Sequence, residues 1–329
     1  MSDKLEIAIA GATGFVGIEL IKKLYDHPNV NLKYLFVKES IDEDIYKSLP
    51  SDITGLPKLK KLDIDLIKKC DVFFSALPHA ELHKIAKEII LDTVIIDLSA
   101  DFRLPDISVY EKWYKIKHES PELQSQSTYG LSEIFRDKIA KSNLISCPGC
   151  YPTSVLLPPI PLIQNKMIDC SNIIIDSKSG YSGAGKKIYN NKDYPNLDEN
   201  IAIYGVGNHR HMPEINHYLS LFSNETIQVS FTPHLIPTFR GMLSTIYVKS
   251  ETSLDEIYKT LKNKYENEQF VYVFKSKMIN TNEVINTNKA LISIFESNVK
   301  GSYIICSSID NLLKGAAGQS VQNFNIKYN

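Results

Sequence analysis

The first half of the chain alternates short apolar runs with segments whose apolar residues recur at helical spacing. A short apolar run bounded by polar residues predicts a buried strand, and helical spacing predicts a helix with one apolar face. The predicted strands are Leu5–Ala10, Leu32–Val37, Asp71–Ala76, Val94–Leu98 and Asn143–Cys147, and the predicted helices are Val16–Tyr25 and Ala80–Ile90. This alternation is typical of a parallel sheet with helices on both faces.

The second half contains more strand-like runs, rich in Ile, Val, Phe and Tyr, and fewer helical ones. The predicted strands are Ile173–Lys178, Ile227–Pro233, Met242–Val248, Phe270–Phe274, Leu291–Glu296 and Tyr303–Ser307, and the predicted helices are Glu214–Leu221, Leu254–Tyr265 and Asp310–Asn325. This pattern predicts an α+β region with a mostly antiparallel sheet. We expect the last helix to pack on the first domain, and the polar segment 111–128 to be a mobile loop.

A length of 329 residues is sufficient for two domains. We predict that the first domain consists of residues 1–149 together with 310–329, and the second of residues 150–309. A net charge of −1 does not favour nucleic acid or an acidic membrane surface as a partner. No apolar run reaches the length of a membrane span, and a strand-like run begins already at Leu5. Five cysteines in such a chain are expected to be reduced, so we expect a cytoplasmic enzyme.

A glycine-rich run, Gly11-Ala-Thr-Gly14-Phe-Val-Gly17, follows the first predicted strand and opens the first predicted helix. Glycines in this place permit a tight turn and a close approach of backbone N–H groups to a pyrophosphate. The spacing G-x-x-G-x-x-G differs from the usual G-x-G-x-x-G, but the strand–turn–helix context favours a dinucleotide site. The fold class is therefore α/β, a Rossmann-type parallel-sheet domain followed by the α+β domain.

The end of the second strand bears on the choice between NAD and NADP. An acidic residue there commonly binds the ribose 2′-hydroxyl of NAD. Lys38 and Ser40 are suited to a 2′-phosphate and favour NADP, whereas Glu39 between them favours NAD. The alternative for Lys38 is a solvated lysine at a strand end.

Cys150 follows a strand and a Pro-Gly turn, at the start of a helical run. A helix N-terminus stabilises a thiolate, and a thiolate can attack an acyl carbon. A lone cysteine is more often structural, and Cys147-Pro-Gly-Cys150 is also a redox or metal spacing. The chain offers no second cysteine pair for a four-thiolate zinc site.

Two histidines, His209 and His211, lie close to Arg210 and Glu214 in one short run. An imidazole near a thiol can take its proton and return one later. Glu214 is a candidate to orient an imidazole or to bind a substrate amine or amide. A polar surface loop or a metal pair is the alternative, but the other histidines are scattered and His79-x-x-x-His83 is not a zinc-protease motif, so no metal is expected.

Further candidates are suited to anions. The run Ser179–Lys187 is rich in glycine and hydroxyls and ends in two lysines, which is typical of a phosphate cradle. Arg103 follows a predicted strand end, and Arg240 lies in Thr-Phe-Arg-Gly. Either guanidinium can grip a carboxylate or phosphate, and a structural salt bridge is the alternative.

Together these motifs resemble the N-acetyl-γ-glutamyl-phosphate reductase family, an arginine-biosynthesis relative of aspartate-semialdehyde dehydrogenase. The matching runs lie in the family's order at Gly11–Gly17, Ala76–His79, Asp97–Arg103, Tyr129–Glu133, Pro148–Thr153, Ser179–Lys187, His209–Ile215, Pro233–Gly241 and Asn311–Gln319. One departure is Cys147, where the family commonly has Asn. It leaves the role of position 147 open and offers an oxidation partner for Cys150.

The resemblance implies that NADPH reduces N-acetyl-γ-glutamyl phosphate to N-acetyl-glutamate semialdehyde, with release of phosphate through a thioester on Cys150. It implies His209 as the acid/base, with His211 in reserve or on the substrate carboxylate. The implied substrate contacts are Arg103, Ser179, Ser182, Lys186, His211, Glu214 and Arg240. The implied cofactor contacts are Thr13, Gly14, Val16, Gly17, Ala76, Pro78, Gly183 and Asn311, which join Gly11, Lys38 and Ser40 from the motifs above. A homo-oligomer, dimer or tetramer, is also implied.

Two other functions stay open. One is the same chemistry on a related acyl phosphate, either a carrier-linked aminoadipyl phosphate or aspartyl phosphate, because the side chains of the substrate pocket decide between these substrates. A dinucleotide-binding regulator without catalysis is the other alternative. The combination of a thiol, neighbouring imidazoles and an anion site argues against it.

Overall fold

A computed structural model of the chain describes residues 4–39, 41–42, 44–185 and 199–328. The chain divides into two compact units, which we call unit 1 (Met1–Pro148 with Ala316–Asn329) and unit 2 (Gly149–Gly315). The boundaries lie at 148/149 and 315/316, where the sequence predicted 149/150 and 309/310. No helix within the described residues is long and apolar enough to cross a membrane.

Unit 1 contains, in its described residues, a seven-stranded sheet of order β3-β2-β1-β4-β5-β7-β6. All of its strand pairings are parallel, which confirms the predicted sheet. The strands are β1 (Leu5–Ala10), β2 (Val30–Val37), β3 (Leu59–Lys61), β4 (Val72–Ser75), β5 (Val94–Asp97), β6 (Ser127–Tyr129) and β7 (Leu144–Ser146). The helices are α1 (Phe15–Leu24), α2 (Ile64–Ile67), α3 (Ala86–Ile89), α4 (Ile107–Tyr114), α5 (Ser132–Ile139) and, from the end of the chain, α10 (Gly318–Tyr328).

The apolar spacing explains the first βα step of unit 1. Ile18, Ile21 and Leu24 of α1 are buried, and β1 is fully buried from Ile7 onward. The C-terminal helix α10 contacts α1, α5 and β5, as expected for the returning segment. Because all the strands of this sheet run parallel, their carboxyl ends lie at one edge of the sheet, and the glycine turn that follows β1 lies at that edge.

The predicted helix Ala80–Ile90 is wrong in its first half. Ala80 has a left-handed φ of 66°, and only a short 3₁₀ turn precedes α3. The buried carboxylate of Asp101 accepts the backbone N–H groups of Ala80 at 2.7 Å, Leu82 at 3.0 Å and His83 at 3.2 Å. These bonds to a distant side chain replace the start of a helix, which local spacing cannot reveal.

The predicted mobile loop 111–128 is also wrong. It contains the end of α4, a 3₁₀ turn over Pro121–Gln126 and the start of β6. His118 and Gln124 are buried and bond to backbone carbonyls of Asp101 and Phe102, each at 2.9 Å. These two polar side chains therefore satisfy buried backbone groups, and they tie the segment to the chain after β5.

Unit 2 also contains a seven-stranded sheet in the described part of the chain, of order β12-β13-β14-β11-β8-β10-β9. Four of the six strand pairings within the described residues are antiparallel, which confirms a mostly antiparallel sheet. The strands are β8 (Ile174–Gly180), β9 (Ala202–Ile203), β10 (Ser230–Ile236), β11 (Met242–Lys249), β12 (Val271–Lys275), β13 (Ala290–Glu296) and β14 (Ser302–Ile309). The helices are α6 (Cys150–Leu156), α7 (Pro159–Gln164), α8 (Met212–Ser220) and α9 (Leu254–Tyr265).

Helices cover one face of the unit 2 sheet. The helix α6 contacts β11 and β14, and α9 contacts β12 and β13. A capping box of Ser253 and Glu256 starts α9, and its residues Ile257, Leu261 and Tyr265 are buried at helical spacing. One prediction here is displaced, because the strand expected at Ile227–Pro233 is Ser230–Ile236.

Candidate functional site

The glycine-rich turn of unit 1 has the geometry of an anion-binding helix start. The backbone N–H groups of Gly11 and Ala12 donate to the carbonyl of Phe36, at 3.0 and 3.1 Å, which fixes the turn above β2. Gly14 caps α1 without a side-chain bond, and the first turn of α1 carries no acidic residue. The partial positive charge of the helix N-terminus is therefore not countered by its own first turn.

Two glycines of this turn have no room for a side chain. Gly11 has a φ of 74°, and a Cβ there would lie 2.2 Å from the carbonyl oxygen of Ala76. A Cβ on Gly17 would lie 2.2 Å from the carbonyl oxygen of Gly11. The backbones after β1 and β4 thus approach each other closely, and the turn fits a dinucleotide pyrophosphate. Thr13, Val16 and Ala76 of the predicted cofactor residues are half-buried in and beside this turn, and Pro78 is exposed.

Lys38 lies exposed at the end of β2 and shares a carboxylate with a second lysine. Its Nζ is 3.4 Å from Glu81 Oε1, and the Nζ of Lys84 is 3.2 Å from Glu81 Oε2. A cavity of about 230 Å³ adjoins this cluster, with mainly apolar walls. It is lined by Phe36, Val37, Lys38, Leu62, Leu77, Pro78, Glu81, Lys84 and Ile85. Sequence reasoning missed Glu81 and Lys84, and the predicted Ser40 lies outside the described residues.

Arg103 is buried in unit 1. Its Nε donates to the carbonyl of Cys147 at 2.7 Å, and its Nη2 donates to the carbonyl of Leu98 at 2.9 Å. These bonds hold the chain just after β7, at the segment that leads toward Cys150. They favour a structural role over the predicted substrate contact, which stays a prediction.

Cys147 is a buried thiol. Burial raises the pKa of Cys147 to about 12, and its sulfur accepts the Asn323 amide at 3.6 Å. A thiol in these surroundings forms the reactive thiolate poorly. The predicted redox role of Cys147 therefore gains no support from its surroundings.

In unit 2, Cys150 is the first residue of α6 and is half-buried. The preceding Gly149 is buried and caps the helix in an extended conformation, with φ −64° and ψ 157°. A Cβ on Gly315 would lie 2.8 Å from the Cβ of Cys150, so the thiol side chain packs directly on that glycine. Gly315 belongs to a π-helical turn, Leu313–Ala317, that sequence reasoning did not anticipate.

The start of α8 meets the turn before Cys150 through two side chains. A Cβ on Gly149 would lie 2.5 Å from Nε2 of His211, so this imidazole rests on the bare Cα of Gly149. The backbone N–H of Gly149 donates to Oε1 of Glu214 at 2.9 Å. The structure thus brings together the predicted nucleophile, one predicted imidazole and the predicted carboxylate.

The His209 ring lies among aromatic rings, with its centroid 4.8 Å from that of His211. The rings of Tyr151, Tyr204 and Phe231 each have centroids 5.4 Å from that of His209. Burial lowers the pKa of His209 to about 4, and the nearby Arg210 charge acts in the same direction. His209 is therefore uncharged near neutral pH.

The hydrogen bonding of His209 also limits its use as a base. Its Nδ1 accepts the backbone N–H of His211 at 3.1 Å, so the neutral ring carries its proton on Nε2. A ring with that tautomer and a low pKa is poorly placed to accept the proton of a thiol. The geometry therefore favours His211 as the acid/base. The acid/base role of His209, predicted from the sequence, stays a prediction.

In the predicted phosphate cradle, several backbone N–H groups already donate hydrogen bonds to other parts of the chain. The N–H groups of Gly180, Tyr181 and Ser182 donate to carbonyls of the 238–241 segment, at 2.8, 3.0 and 2.9 Å. Ser179 and Ser182 are buried, with Ser179 Oγ donating to the Gly180 carbonyl at 3.0 Å. Gly183 is exposed, and Lys186 lies outside the described residues. The turn is thus fixed by contacts of its own, and its amides at 180–182 are not directed to a ligand.

Asn311 and Arg240 stabilise the same region. Asn311 donates to Ser182 Oγ at 2.9 Å and accepts the Gly241 N–H at 2.8 Å. Arg240 donates to buried Asp310 at 3.2 Å and to Asn286 at 2.9 Å. The ion pair favours the structural alternative for Arg240, and ligand roles for both residues stay predictions. Within the described ranges, no group of three or more His, Cys, Asp or Glu residues is suited to a metal ion.

Comparison with known proteins covers both units. Residues 6–142 match the family described as semialdehyde dehydrogenase, NAD binding domain, and residues 150–311 match semialdehyde dehydrogenase, dimerisation domain. The N-acetyl-gamma-glutamyl-phosphate reductase of Caldicellulosiruptor saccharolyticus is 44% identical, over 98% of this chain and 95% of the relative. That of Ehrlichia ruminantium is 42% identical, over 99% and 95%. Aspartate semialdehyde dehydrogenase II from Vibrio cholerae shares the fold, with a TM-score of 0.74, 16% identity and 98% coverage of both chains.

We predict that Gly11→Ala abolishes dinucleotide binding, because its Cβ would collide with the Ala76 carbonyl and open the turn. Gly55→Ala is the matched control, since Gly55 has a similar φ of 68° but no atom within 4 Å of the added Cβ. Calorimetric titration with NADPH measures both affinities. Unchanged affinity in Gly11→Ala, with the fold intact by circular dichroism, would contradict the assignment of this turn.

Proposed function

Because the chain belongs to the N-acetyl-gamma-glutamyl-phosphate reductase family, we propose that it reduces N-acetyl-γ-glutamyl phosphate to N-acetyl-glutamate semialdehyde and releases phosphate. This is a step of arginine biosynthesis. The observation that carries the proposal is the contact of the His211 imidazole with Gly149, directly before the Cys150 thiol. A thiol and an imidazole so placed are suited to covalent acyl transfer.

In the proposed mechanism, His211 accepts the Cys150 proton and the thiolate attacks the γ-acyl carbon. The C–O bond to phosphate breaks, a thioester forms, and the proton leaves with the phosphate. NADPH, held by the glycine turn Gly11–Gly17 and Lys38, would supply a hydride when bound, and the thioester carbon on Cys150 accepts it and becomes a thiohemiacetal. The C–S bond then breaks, the aldehyde departs, and Cys150 regains a proton from water. The backbone N–H groups of Cys150 and Tyr151, at the start of α6, are suited to stabilise the oxyanion at each tetrahedral stage, whereas Pro152 has no N–H and that of Thr153 donates to the Gly149 carbonyl.

Ser179 and Ser182 in and before the turn, and Lys186 beyond the described residues, stay candidates for the substrate phosphate. Ser179 and Ser182 supply hydroxyls there, and Lys186 supplies a charge in the sequence. Their assignment rests on the family resemblance and on the composition of the turn.

We expect the purified chain to form NADPH from NADP, phosphate and N-acetyl-glutamate semialdehyde, the reverse reaction. Cys150→Ser should lower this rate by roughly four orders of magnitude, as expected for a covalent nucleophile. Cys170→Ser is the matched control, a half-buried cysteine of the same unit. Turnover of aspartate semialdehyde or of an aminoadipate semialdehyde in place of the acetylated substrate would assign a related acyl phosphate. No turnover with any of them would favour a non-catalytic regulator.

The roles of the two histidines can be distinguished by changing each one to asparagine. We expect His211→Asn to lower kcat by roughly 100-fold to 10,000-fold, the usual contribution of acid/base catalysis. His209→Asn should have a smaller effect, because the neutral ring with Nε2–H does not take the thiol proton. A larger loss in His209→Asn would reverse this assignment.

We propose NADP over NAD as the cofactor because Lys38 lies at the end of β2, where the 2′-phosphate is commonly bound, and Lys84 of the turn before α3 shares its carboxylate partner. Lys38 and Lys84 share one carboxylate, Glu81, so the cluster keeps a net positive charge. Each lysine changed to Met should raise the KM for NADPH by about tenfold and leave that for NADH unchanged. Lys87→Met, an exposed lysine of α3, is the control. An equal effect on both cofactors would contradict this assignment.

We also propose a homodimer, formed through the sheet face of unit 2 that faces away from α6 and α9. Tyr247 of β11 lies in register between Ile174 of β8 and Ile304 of β14, and it is 42% exposed. A contiguous apolar row on an open sheet favours self-association, and this region matches a dimerisation domain.

Tyr247→Asp should convert the dimer to monomers in sedimentation velocity, because a carboxylate would be buried in the apolar interface. Leu91→Asp should leave the dimer intact, since Leu91 is 92% exposed and lies in unit 1. A dimer that persists in Tyr247→Asp would place the interface on another surface.

A further inference from the structure

We propose that Glu214 is a positioning residue, which fixes the turn before the nucleophile through the Gly149 N–H instead of contacting the substrate. The inference rests on the proposed function for its kinetic consequence. Its structural basis is independent of the substrate, because the contact lies wholly within unit 2.

The Glu214 side chain is built into the protein. The residue is 1% exposed, in the first turn of α8. Its Oε1 accepts the Gly149 N–H at 2.9 Å, and Gly149 is itself buried. A hydrogen bond to an ionised acceptor is stronger than a neutral one, and the N-terminus of α8 favours a negative charge at this position. The carboxylate is therefore held in place with one oxygen committed to the backbone before Cys150.

The same helix start also supplies the imidazole. His211 immediately precedes α8, and its ring rests on the Cα of Gly149, where a Cβ would lie 2.5 Å from Nε2. Glu214 therefore binds the N–H of the residue whose Cα the His211 ring contacts. One short segment of chain thus holds the turn from two directions and sets the imidazole relative to the next residue, Cys150.

A second glycine also restrains Cys150. Cys150 packs its Cβ and Cα against Gly315, whose missing side chain leaves room for them. If the bond from Gly149 to Glu214 is lost, the turn is free to move relative to His211 while Gly315 still limits the thiol. A displacement of about 1 Å at such a site commonly lowers a rate about 100-fold.

A positioning role and a substrate contact predict different kinetics. A lost substrate contact raises KM, whereas a misplaced nucleophile lowers kcat at an unchanged KM. Glutamine retains a carbonyl oxygen that can accept the Gly149 N–H but loses the charge. Aspartate retains the charge but is one methylene too short to reach that N–H.

The test compares Glu214→Ala, Glu214→Asp and Glu214→Gln, with Glu225→Gln, an exposed glutamate of unit 2, as the control. We expect Ala and Asp to lower kcat by about 100-fold at an unchanged KM for the semialdehyde, and Gln to restore most of kcat. The Asp variant keeps the test valid if Ala fails to fold. A raised KM in all three, with kcat retained, would assign Glu214 to the substrate and overturn the proposal.

A second readout needs neither substrate nor cofactor. The rate of Cys150 alkylation by iodoacetamide is measured against pH, with the modified peptide identified by mass spectrometry. We expect the pH profile to move in Ala and Asp, because the thiol and His211 are no longer held together, and to move less in Gln. Profiles unchanged in Ala and Asp would overturn the positioning role, whatever the substrate. Shifted profiles without turnover of the acetylated semialdehyde by the wild type would contradict the proposed substrate alone.

Discussion

The site in unit 2 depends on the absence of a side chain at Gly149. The His211 ring occupies the space that a Cβ would fill, and the Glu214 carboxylate accepts the N–H of the same residue. Any larger residue at position 149 would push the imidazole away from the turn that carries Cys150. The nucleophile itself faces a second glycine, Gly315, in a π-helical turn. Close packing at two glycines thus brings Cys150, the His211 imidazole and the Glu214 carboxylate near one another.

Unit 1 also contains glycines that have no room for a side chain, and there they shape the predicted cofactor turn. Gly11 allows the backbone after β1 to approach the carbonyl of Ala76, and Gly17 allows α1 to begin against the turn. The helix N-terminus is thereby presented to an anion with no acidic side chain in its first turn. In each unit, a glycine without room for a Cβ precedes or opens a short helix, and this is where the candidate chemistry lies.

Much of this arrangement is predictable from sequence. Apolar spacing located β1, β2, β4, β5 and most strands of unit 2, because burial of one face repeats along each element. Spacing failed at Ala80–Ile90, where Asp101 takes the amides that a helix would use, and at 111–128, where polar residues bond to buried carbonyls. Both failures come from side chains that satisfy backbone groups far away in sequence, which no local pattern records.

In the candidate site, too, the residues were predictable from the sequence but their contacts were not. Cys150, His211 and Glu214 were found from their motifs, but the bond of Glu214 to Gly149 joins residues 65 positions apart. The ranking of the two histidines likewise required the structure, since it depends on an Nδ1 contact and on the aromatic rings that bury His209. Glu81 and Lys84 were missed because their relation to Lys38 exists only in the fold.

The most direct test of the covalent account is to trap the acyl group on Cys150. Wild-type protein is mixed with NADP and N-acetyl-glutamate semialdehyde in the absence of phosphate, so that the thioester has no acceptor. The account predicts a burst of about one NADPH per subunit and an N-acetyl-glutamyl adduct on the Cys150 peptide in mass spectrometry. A burst with the adduct on another residue, or a burst that leaves Cys150 unmodified, would contradict it.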